Sequence, residues 1–184
     1  SVDGQMRPSA PDVYAVGDAV EVRHFVTGAK SHIALAGPAN KQGRIAADHI
    51  CGRRSAYTGA LGTSVLKLFD LTAASTGLNE KQARAAGVAY DKVVTYSASH
   101  ASYYPGARNM TVKTLFDPAS GRILGAQIVG FDGVDKRMDV LAAAIRAGLT
   151  AEQLTELDLA YAPPYGSAKD PVNMAGYVIE NVRA

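Results

Sequence analysis

The chain has 184 residues, a formal net charge of +2 and a composition that is 47% hydrophobic and 20% charged, which is ordinary for a soluble globular protein. This balanced charge does not favour nucleic-acid binding, and no apolar run approaches the ~20 residues that a membrane-spanning helix needs. A single cysteine, Cys51, excludes a disulfide within the chain and fits a reducing compartment, so we expect a cytoplasmic protein that binds neither nucleic acid nor a membrane.

The first part of the chain has the pattern of the end of an α/β domain. DVYAVGDAV predicts a short buried strand over Val13–Val16 that runs into the turn Gly17-Asp18, although no neighbouring strand precedes it. Apolar residues at helical spacing in IALAGPANKQGRIAADHICG predict a helix, and Pro38 suits its first turn. The same stripe predicts that Cys51 is buried. The segment GRRSAYTG, which starts at Gly52, ends the helix and resembles a linker.

From about Thr63 the pattern predicts one complete α+β domain. TSVLKLFDLTAASTG indicates one long or two short strands, DKVVTYSASH another, and NMTVKTLFD with RILGAQIVG a hairpin around residues 117–121. Capping boxes are predicted at Asn79–Gln82 and Thr150–Gln153, each opening a short helix. DKRMDVLAAAIRAG is amphipathic and should end at Gly148. Because strands are grouped rather than strictly alternating with helices, we expect helices packed on an antiparallel sheet.

Two local features suit a ligand, although each is common. An aspartate just past a strand can accept hydrogen bonds from ligand hydroxyls, and the helix start near Pro38 and Ala39 offers free N–H groups and partial positive charge. The four histidines lack metal-ligand spacing, and no Walker, G-x-G-x-x-G or C-x-x-C motif is present, so no metal site is expected. By its residues alone, the YAPPY segment is either packing or part of a site.

RPSAPDVYAVGDAVEV…ALAGPANKQGRIAADHI resembles the end of the FAD-binding domain of pyridine nucleotide-disulfide oxidoreductases. AYAPPYGSAKDPVNMAG is similar to the coenzyme A-disulfide reductase-like members, in the branch that also contains NADH oxidases and NADH peroxidases. This resemblance covers essentially the whole chain. It implies that residues 1–56 are the C-terminal remnant of an FAD-binding domain and that residues 57–184 are the dimerisation domain of a homodimer.

The resemblance also implies roles for individual residues. The residues expected to bind FAD are Gly17, Asp18, Ala36, Pro38, Ala39 and, reaching the partner subunit's flavin, Tyr161. Tyr103 and Tyr161 are the expected catalytic hydroxyls of a disulfide site at the dimer interface, and Lys169 and Lys41 are expected to bind coenzyme A. A phenol can donate a proton or a hydrogen bond to a leaving thiolate, and an ammonium suits a phosphate.

The expected function is therefore the C-terminal part of an FAD-dependent NAD(P)H:disulfide oxidoreductase acting on coenzyme A disulfide or a related disulfide or persulfide. The FAD fingerprint, the redox cysteine and the NAD(P)H domain lie outside this sequence, so we expect the chain alone to be inactive and its N-terminal part, up to about residue 50, to be poorly ordered in isolation. In the family a threonine usually stands just before the FAD-binding strand motif. Here that position is Pro8, which removes a side-chain hydroxyl but leaves Asp18. The alternatives are an NADH oxidase or peroxidase, and a free-standing dimerisation or binding module.

Overall fold

The computed structural model describes all residues from Ser1 to Ala184. They form two compact units, residues 1–62 and 63–184. The limits at residues 62 and 63 describe how the chain packs and not the domain boundary of a longer protein. The domain boundary between residues 56 and 57 stays a prediction. The poor order of the N-terminal part in isolation also stays a prediction. No helix combines the length and the apolar character needed to cross a membrane.

The first unit contains a small antiparallel ladder of β1 (Val22–Arg23) and β2 (Lys30–Ser31), followed by helix α1 (Ala36–Ile50). The predicted strand before them is wrong. Residues 13–16 pair with no strand, and Val13 and Val16 are 45% and 38% exposed. A segment without a neighbouring strand has no ladder in which to satisfy its backbone groups, so its apolar composition alone does not make it a strand.

Cys51 is also placed differently from the prediction. It follows α1 directly as the C-cap residue, and its side chain is exposed. The buried residues of α1 are Gln42 and Ala46, one helical turn apart. Cys51 is not at an i+3 or i+4 position from Ala46, so it points away from the buried face.

The second unit is built on a five-stranded antiparallel sheet in the order β3-β4-β7-β6-β5. Its strands are β3 (Ser64–Leu68), β4 (Leu71–Gly77), β5 (Asp91–Ala98), β6 (Asn109–Phe116) and β7 (Ile123–Gly130). TSVLKLFDLTAASTG therefore forms two strands that pair with each other. The predicted hairpin around residues 117–121 is confirmed by the pairing of β6 with β7.

Four helices complete this unit: α2 (Glu80–Ala85), α3 (Val134–Ala147), α4 (Ala151–Thr155) and α5 (Pro171–Arg183). Both predicted capping boxes are confirmed, at the starts of α2 and α4. Gly148 ends α3 with a left-handed φ of 75°. α3 packs on β4 and β7 and α5 packs on β5, which confirms the α+β class. α5 was not predicted, although Asp170 caps it and Pro171 occupies its first turn.

The two faces of the sheet differ. On the helix side, strand residues such as Val112 and Ile128 pack with Leu141 of α3 and Ile179 of α5 in a fully buried core. On the other side, cross-strand pairing places several apolar residues in one row, and the large ones remain exposed. This row is Leu66, Ala73, Val129, Thr111 and Tyr96.

A cluster of charges surrounds the start of α2. The carboxylate of Glu80 accepts hydrogen bonds from the ammonium groups of Lys113 and Lys92, the latter at 2.9 Å, and from the Tyr90 hydroxyl at 3.2 Å. The bond from Lys113, followed by that from Lys92, lowers the pKa of Glu80 from 4.5 to about 2. The ionised carboxylate therefore ties α2 to β5 and β6.

Glu80→Gln is expected to lower the thermal unfolding midpoint at neutral pH. Because the pKa of Glu80 is lower in the folded chain than in the unfolded chain, its stabilisation is present above the unfolded value of 4.5 and is lost as the pH falls toward about 2. The midpoints of the wild-type chain and Glu80→Gln should thus converge over this interval when thermal unfolding is followed by circular dichroism. Exposed Glu156, changed to glutamine, is the control. A gap between wild type and Glu80→Gln that stays constant down to the acid end would contradict this account.

Candidate active site

In the first unit, a glycine turn lies against the N-terminal half of α1. Gly17 has a left-handed φ of 74°, and its N–H donates to the side-chain oxygen of Gln42 at 2.7 Å. A Cβ built on Gly17 would lie 3.8 Å from the Cβ of Ala39. This packing holds the exposed side chain of Asp18 beside the start of α1. A ring nitrogen of His32 lies 2.6 Å from the backbone carbonyl oxygen of Asp18 and steadies the turn.

The start of α1 carries no capping side chain. Leu35 is the N-cap residue, and the first turn contains no acidic residue. The first intrahelical bond runs from the Ala39 N–H to the Leu35 carbonyl, and Pro38 has no N–H, so the donors left at this end belong to Ala36 and Gly37. The residues around these donors are small, which leaves room for a ligand to approach them.

These residues fit a ligand that carries both hydroxyl groups and an electron-rich ring atom. The Asp18 carboxylate can accept from hydroxyls, and the uncapped helix end presents N–H groups and a partial positive charge. A flavin with its ribityl chain has this chemistry. Lys41 is exposed on α1 and makes no ion pair in the structure.

In the second unit, two tyrosine side chains meet at their hydroxyl groups. The hydroxyl oxygens of Tyr103 and Tyr161 lie 3.1 Å apart, and the side chains are 75% and 47% exposed. The hydrogen bond to Tyr103 raises the pKa of Tyr161, since it stabilises the protonated phenol and since a second phenolate beside the first is unfavourable. The Tyr161 phenol is therefore protonated at neutral pH, and the pair can offer a hydroxyl proton to an incoming group.

The tyrosines come from two separate loops. Tyr103 lies in the loop between β5 and β6, and Tyr161 lies in the loop between α4 and α5. The Ala101 N–H donates to the Pro163 carbonyl at 3.3 Å, which joins the two loops directly. Proline at positions 163 and 164 restricts the backbone of the second loop, so it is shaped without helix or strand.

Lys169 lies near the end of the second loop and is exposed. Its ammonium nitrogen is 5.6 Å from the ring centroid of Tyr177, within the range of a weak cation–π contact. It makes no hydrogen bond to either tyrosine hydroxyl. The structure therefore brings Tyr103 and Tyr161 together and leaves Lys169 as a separate cation on the same loop as Tyr161.

Residues 63–171 match the family model described as pyridine nucleotide-disulphide oxidoreductase, dimerisation domain. The chain belongs to this family. It is 37% identical over 177 residues to a coenzyme A disulfide reductase of Staphylococcus haemolyticus, a match that covers 96% of this chain and 40% of that protein. The chain thus spans less than half of the curated relatives it matches.

Two solved structures show the same architecture. Reduced CoADR-RHD of Bacillus anthracis superposes with a TM-score of 0.96 at 54% identity, over 99% of this chain and 33% of that one. The water-forming NADH oxidase of Lactobacillus brevis, bound to NADH, superposes with a TM-score of 0.93 at 26% identity, over 99% of this chain and 40% of that one. Membership of the pyridine nucleotide-disulphide oxidoreductases implies a flavin and a nicotinamide cofactor.

A buried ion pair in contact with the two tyrosine-bearing loops was not predicted from the sequence. Arg137 and Asp170 are 1% and 3% exposed, and the Arg137 Nη2 lies 3.0 Å from the Asp170 carboxylate. A signal was present, because Arg137 falls on the apolar stripe of α3 at the i−4 position from Leu141. A charged residue on such a stripe is buried only with a partner. Its partner is 33 residues away along the chain, and local spacing does not reveal it.

Proposed function

We propose that this chain is the C-terminal part of an FAD-dependent NAD(P)H:disulfide oxidoreductase that reduces coenzyme A disulfide or a related disulfide or persulfide of a small thiol. The observation that carries this proposal is the exposed pair of phenol hydroxyls, Tyr103 and Tyr161, 3.1 Å apart. Further support comes from the similarity to a coenzyme A disulfide reductase and from the greater identity to CoADR-RHD than to the NADH oxidase.

The phenols supply what the reduction of a disulfide requires from an acid. The S–S bond takes up two electrons and separates into two thiolates, and each thiolate is stabilised by a hydrogen bond or a proton. Tyr161, whose hydroxyl the contact with Tyr103 keeps protonated, can donate a hydrogen bond or its proton to the departing sulfur. Bound FAD would supply the passage of electrons from NAD(P)H toward the disulfide.

The other residues would bind and orient. Asp18, presented by Gly17, would accept hydrogen bonds from the ribityl hydroxyls, and the N-terminus of α1 at Ala36, Pro38 and Ala39 would face the electron-rich end of the flavin ring. Tyr161 would also contact the flavin of the partner subunit. Lys169 and Lys41 would attract the phosphates of a coenzyme A substrate.

The deciding experiment is anaerobic oxidation of NAD(P)H by the full-length, FAD-loaded protein, first with coenzyme A disulfide and then with oxygen readmitted. Turnover that depends on the disulfide supports the proposal. Turnover that appears only with oxygen would assign the protein to the NADH oxidases, the alternative that the Lactobacillus brevis similarity favours.

We further infer that the exposed row of the sheet is covered by a second copy of the chain. The row holds Leu66, Val129 and Tyr96, which are 60%, 43% and 79% exposed. It lies on the opposite face of the sheet from α3 and α5. A contiguous apolar patch of this kind marks an interaction surface, and the family to which the chain belongs names this domain for dimerisation. Both observations favour a second copy of the chain as the partner that covers this row.

Leu66→Glu is expected to raise the dissociation constant of the homodimer at least ~30-fold, the equivalent of ~2 kcal/mol at an interface hot spot. A carboxylate at this position would be desolvated on association without a partner. Sedimentation velocity across a range of protein concentrations measures the effect. Lys67→Gln, which changes the adjacent residue on the opposite face by the same unit of charge, should leave the dimer intact. A Leu66→Glu variant that dimerises like the wild type would show that the interface lies elsewhere.

A further inference from the structure

The buried guanidinium of Arg137 binds more than its carboxylate partner. Its Nε and Nη2 donate to Asp170 Oδ2 at 3.1 Å and 3.0 Å. Nη2 also donates to the Ser99 carbonyl at 2.9 Å and lies 3.5 Å from the Tyr165 carbonyl. Nη1 donates to the Gly133 carbonyl at 3.1 Å, at the start of the helix that carries the arginine. One side chain thus contacts three separate segments of the unit, because Tyr165 and Asp170 belong to the same loop.

The acceptors other than Gly133 lie in the two loops that carry the tyrosines. Ser99 directly follows β5 and begins the loop that contains Tyr103. Tyr165 belongs to the loop that contains Tyr161, and Asp170 ends that loop. Asp170 also accepts from the Val172 N–H at 3.0 Å and so fixes the start of α5. The planar fork of a guanidinium can serve carboxylate and carbonyls at once, whereas an ammonium presents one nitrogen.

The surroundings are shaped for this side chain. Gly133 has a left-handed φ of 67°, and a Cβ at this position would collide with Nη1 of Arg137. Gly166, in the loop of Tyr161, also lies next to the guanidinium, at a distance that would leave a Cβ in ordinary contact with Nη2, 3.6 Å away. A buried ion pair that only stabilised the core could be replaced by apolar side chains of similar volume. The contacts to both loops give the arginine a role that apolar residues cannot take.

We propose that Arg137 is the positioning residue of the tyrosine pair, because its guanidinium ties the Tyr103 loop and the Tyr161 loop to one buried point. The inference deepens the function proposed above and rests on it for its catalytic consequence. Arg137 does not touch the substrate itself; it acts by holding the two hydroxyls at hydrogen-bonding distance.

Two substitutions separate loop positioning from charge pairing. Arg137→Lys keeps a cation for Asp170 but gives up the simultaneous contacts to Ser99 and Tyr165. Asp170→Asn keeps the guanidinium on both loop carbonyls and keeps a side-chain oxygen for the Val172 N–H, but removes the opposite charge. Leu141→Ala, on the same helix and fully buried, is the control for a general loss of core packing.

The first measurement follows tyrosine ring resonances by NMR in the 184-residue chain. When the two hydroxyls are hydrogen bonded to each other, Tyr161→Phe removes the partner of the Tyr103 hydroxyl and so shifts the ring signal of Tyr103. We expect this cross effect in the wild-type, Asp170→Asn and Leu141→Ala backgrounds and its loss in Arg137→Lys. Persistence of the cross effect in Arg137→Lys, or its equal loss in Leu141→Ala, would overturn the proposal. If Asp170→Asn does not fold, Arg137→Lys and Leu141→Ala still decide it.

The second measurement is a double-mutant cycle on turnover in the full-length, FAD-loaded protein. In the wild-type background Tyr161→Phe should lower kcat for the disulfide about 100-fold, and in the Arg137→Lys background less than about 3-fold, because the hydroxyl is already misplaced. Equal effects in both backgrounds would overturn the positioning role. Absence of disulfide turnover in the wild type would instead remove the proposed function, while the NMR result on Arg137 would stand.

Discussion

Replacing Tyr161 with phenylalanine in the full-length protein is expected to lower kcat for disulfide reduction about 100-fold, the lower range for loss of a general acid. The substitution removes one hydroxyl and keeps the ring, so packing of the loop and binding of the substrate should change little. Its main effect should thus fall on kcat rather than on KM. Steady-state kinetics with coenzyme A disulfide under anaerobic conditions measure both constants.

Tyr165→Phe provides the matched control. Tyr165 lies in the same loop, is 72% exposed and has no hydrogen bond from its hydroxyl in the structure, so its loss should leave kcat within a factor of about two of the wild type. Tyr103→Phe should also lower kcat, and the double variant should be little worse than Tyr161→Phe alone, since the hydroxyls act as a pair. Equal rates for Tyr161→Phe and Tyr165→Phe would remove Tyr161 from the chemistry.

The pH dependence gives an independent check. Since the hydrogen bond to Tyr103 raises the pKa of Tyr161, the protonated phenol persists to higher pH than in an isolated tyrosine. The alkaline limb of the pH–rate profile should therefore lie above the ordinary tyrosine pKa and move down toward it in Tyr103→Phe. An alkaline limb that is the same in both proteins would mean that ionisation of Tyr161 does not govern it.

The parts of the fold that were predicted correctly depend on short-range chemistry. Both capping boxes, the hairpin around residues 117–121 and the glycine that ends α3 involve residues within a few positions of one another. Such interactions can be read from spacing. α5 had equally local start signals in Asp170 and Pro171, but they follow an irregular proline-rich loop and were interpreted as part of it.

The errors and omissions arose where distant residues decide the outcome. The segment at Val13–Val16 has strand composition, yet no adjacent strand pairs with it. Cys51 follows an apolar stripe, yet the packing of α1 leaves it exposed. The tyrosine pair was identified through a family resemblance rather than from periodicity, because its members lie 58 residues apart. No sequence motif identifies the role of Arg137, because its partners come from three segments that the folded chain brings together.

Asp170→Ala is expected to destabilise the second unit by about 3–5 kcal/mol, because it leaves the buried guanidinium of Arg137 without a counter-charge. Loss of the N-cap of α5 should add about 1 kcal/mol. Native-state hydrogen exchange of the buried amides of α5 and β5 is the appropriate measurement, since it reports on this unit separately from residues 1–62.

An ion pair on the surface provides the comparison that isolates burial. Arg183 and Glu152 are joined at 2.7 Å, but their side chains are 22% and 50% exposed. Glu152→Gln should lower stability by no more than about 1 kcal/mol, because water solvates the remaining arginine and screens the pair. If Asp170→Ala and Glu152→Gln lower the stability equally, water reaches the guanidinium of Arg137 and the ion pair is not a buried anchor. If the difference is as large as expected, the loops that carry Tyr103 and Tyr161 are held by a buried ion pair that stabilises the unit more than the exposed pair Arg183–Glu152 does.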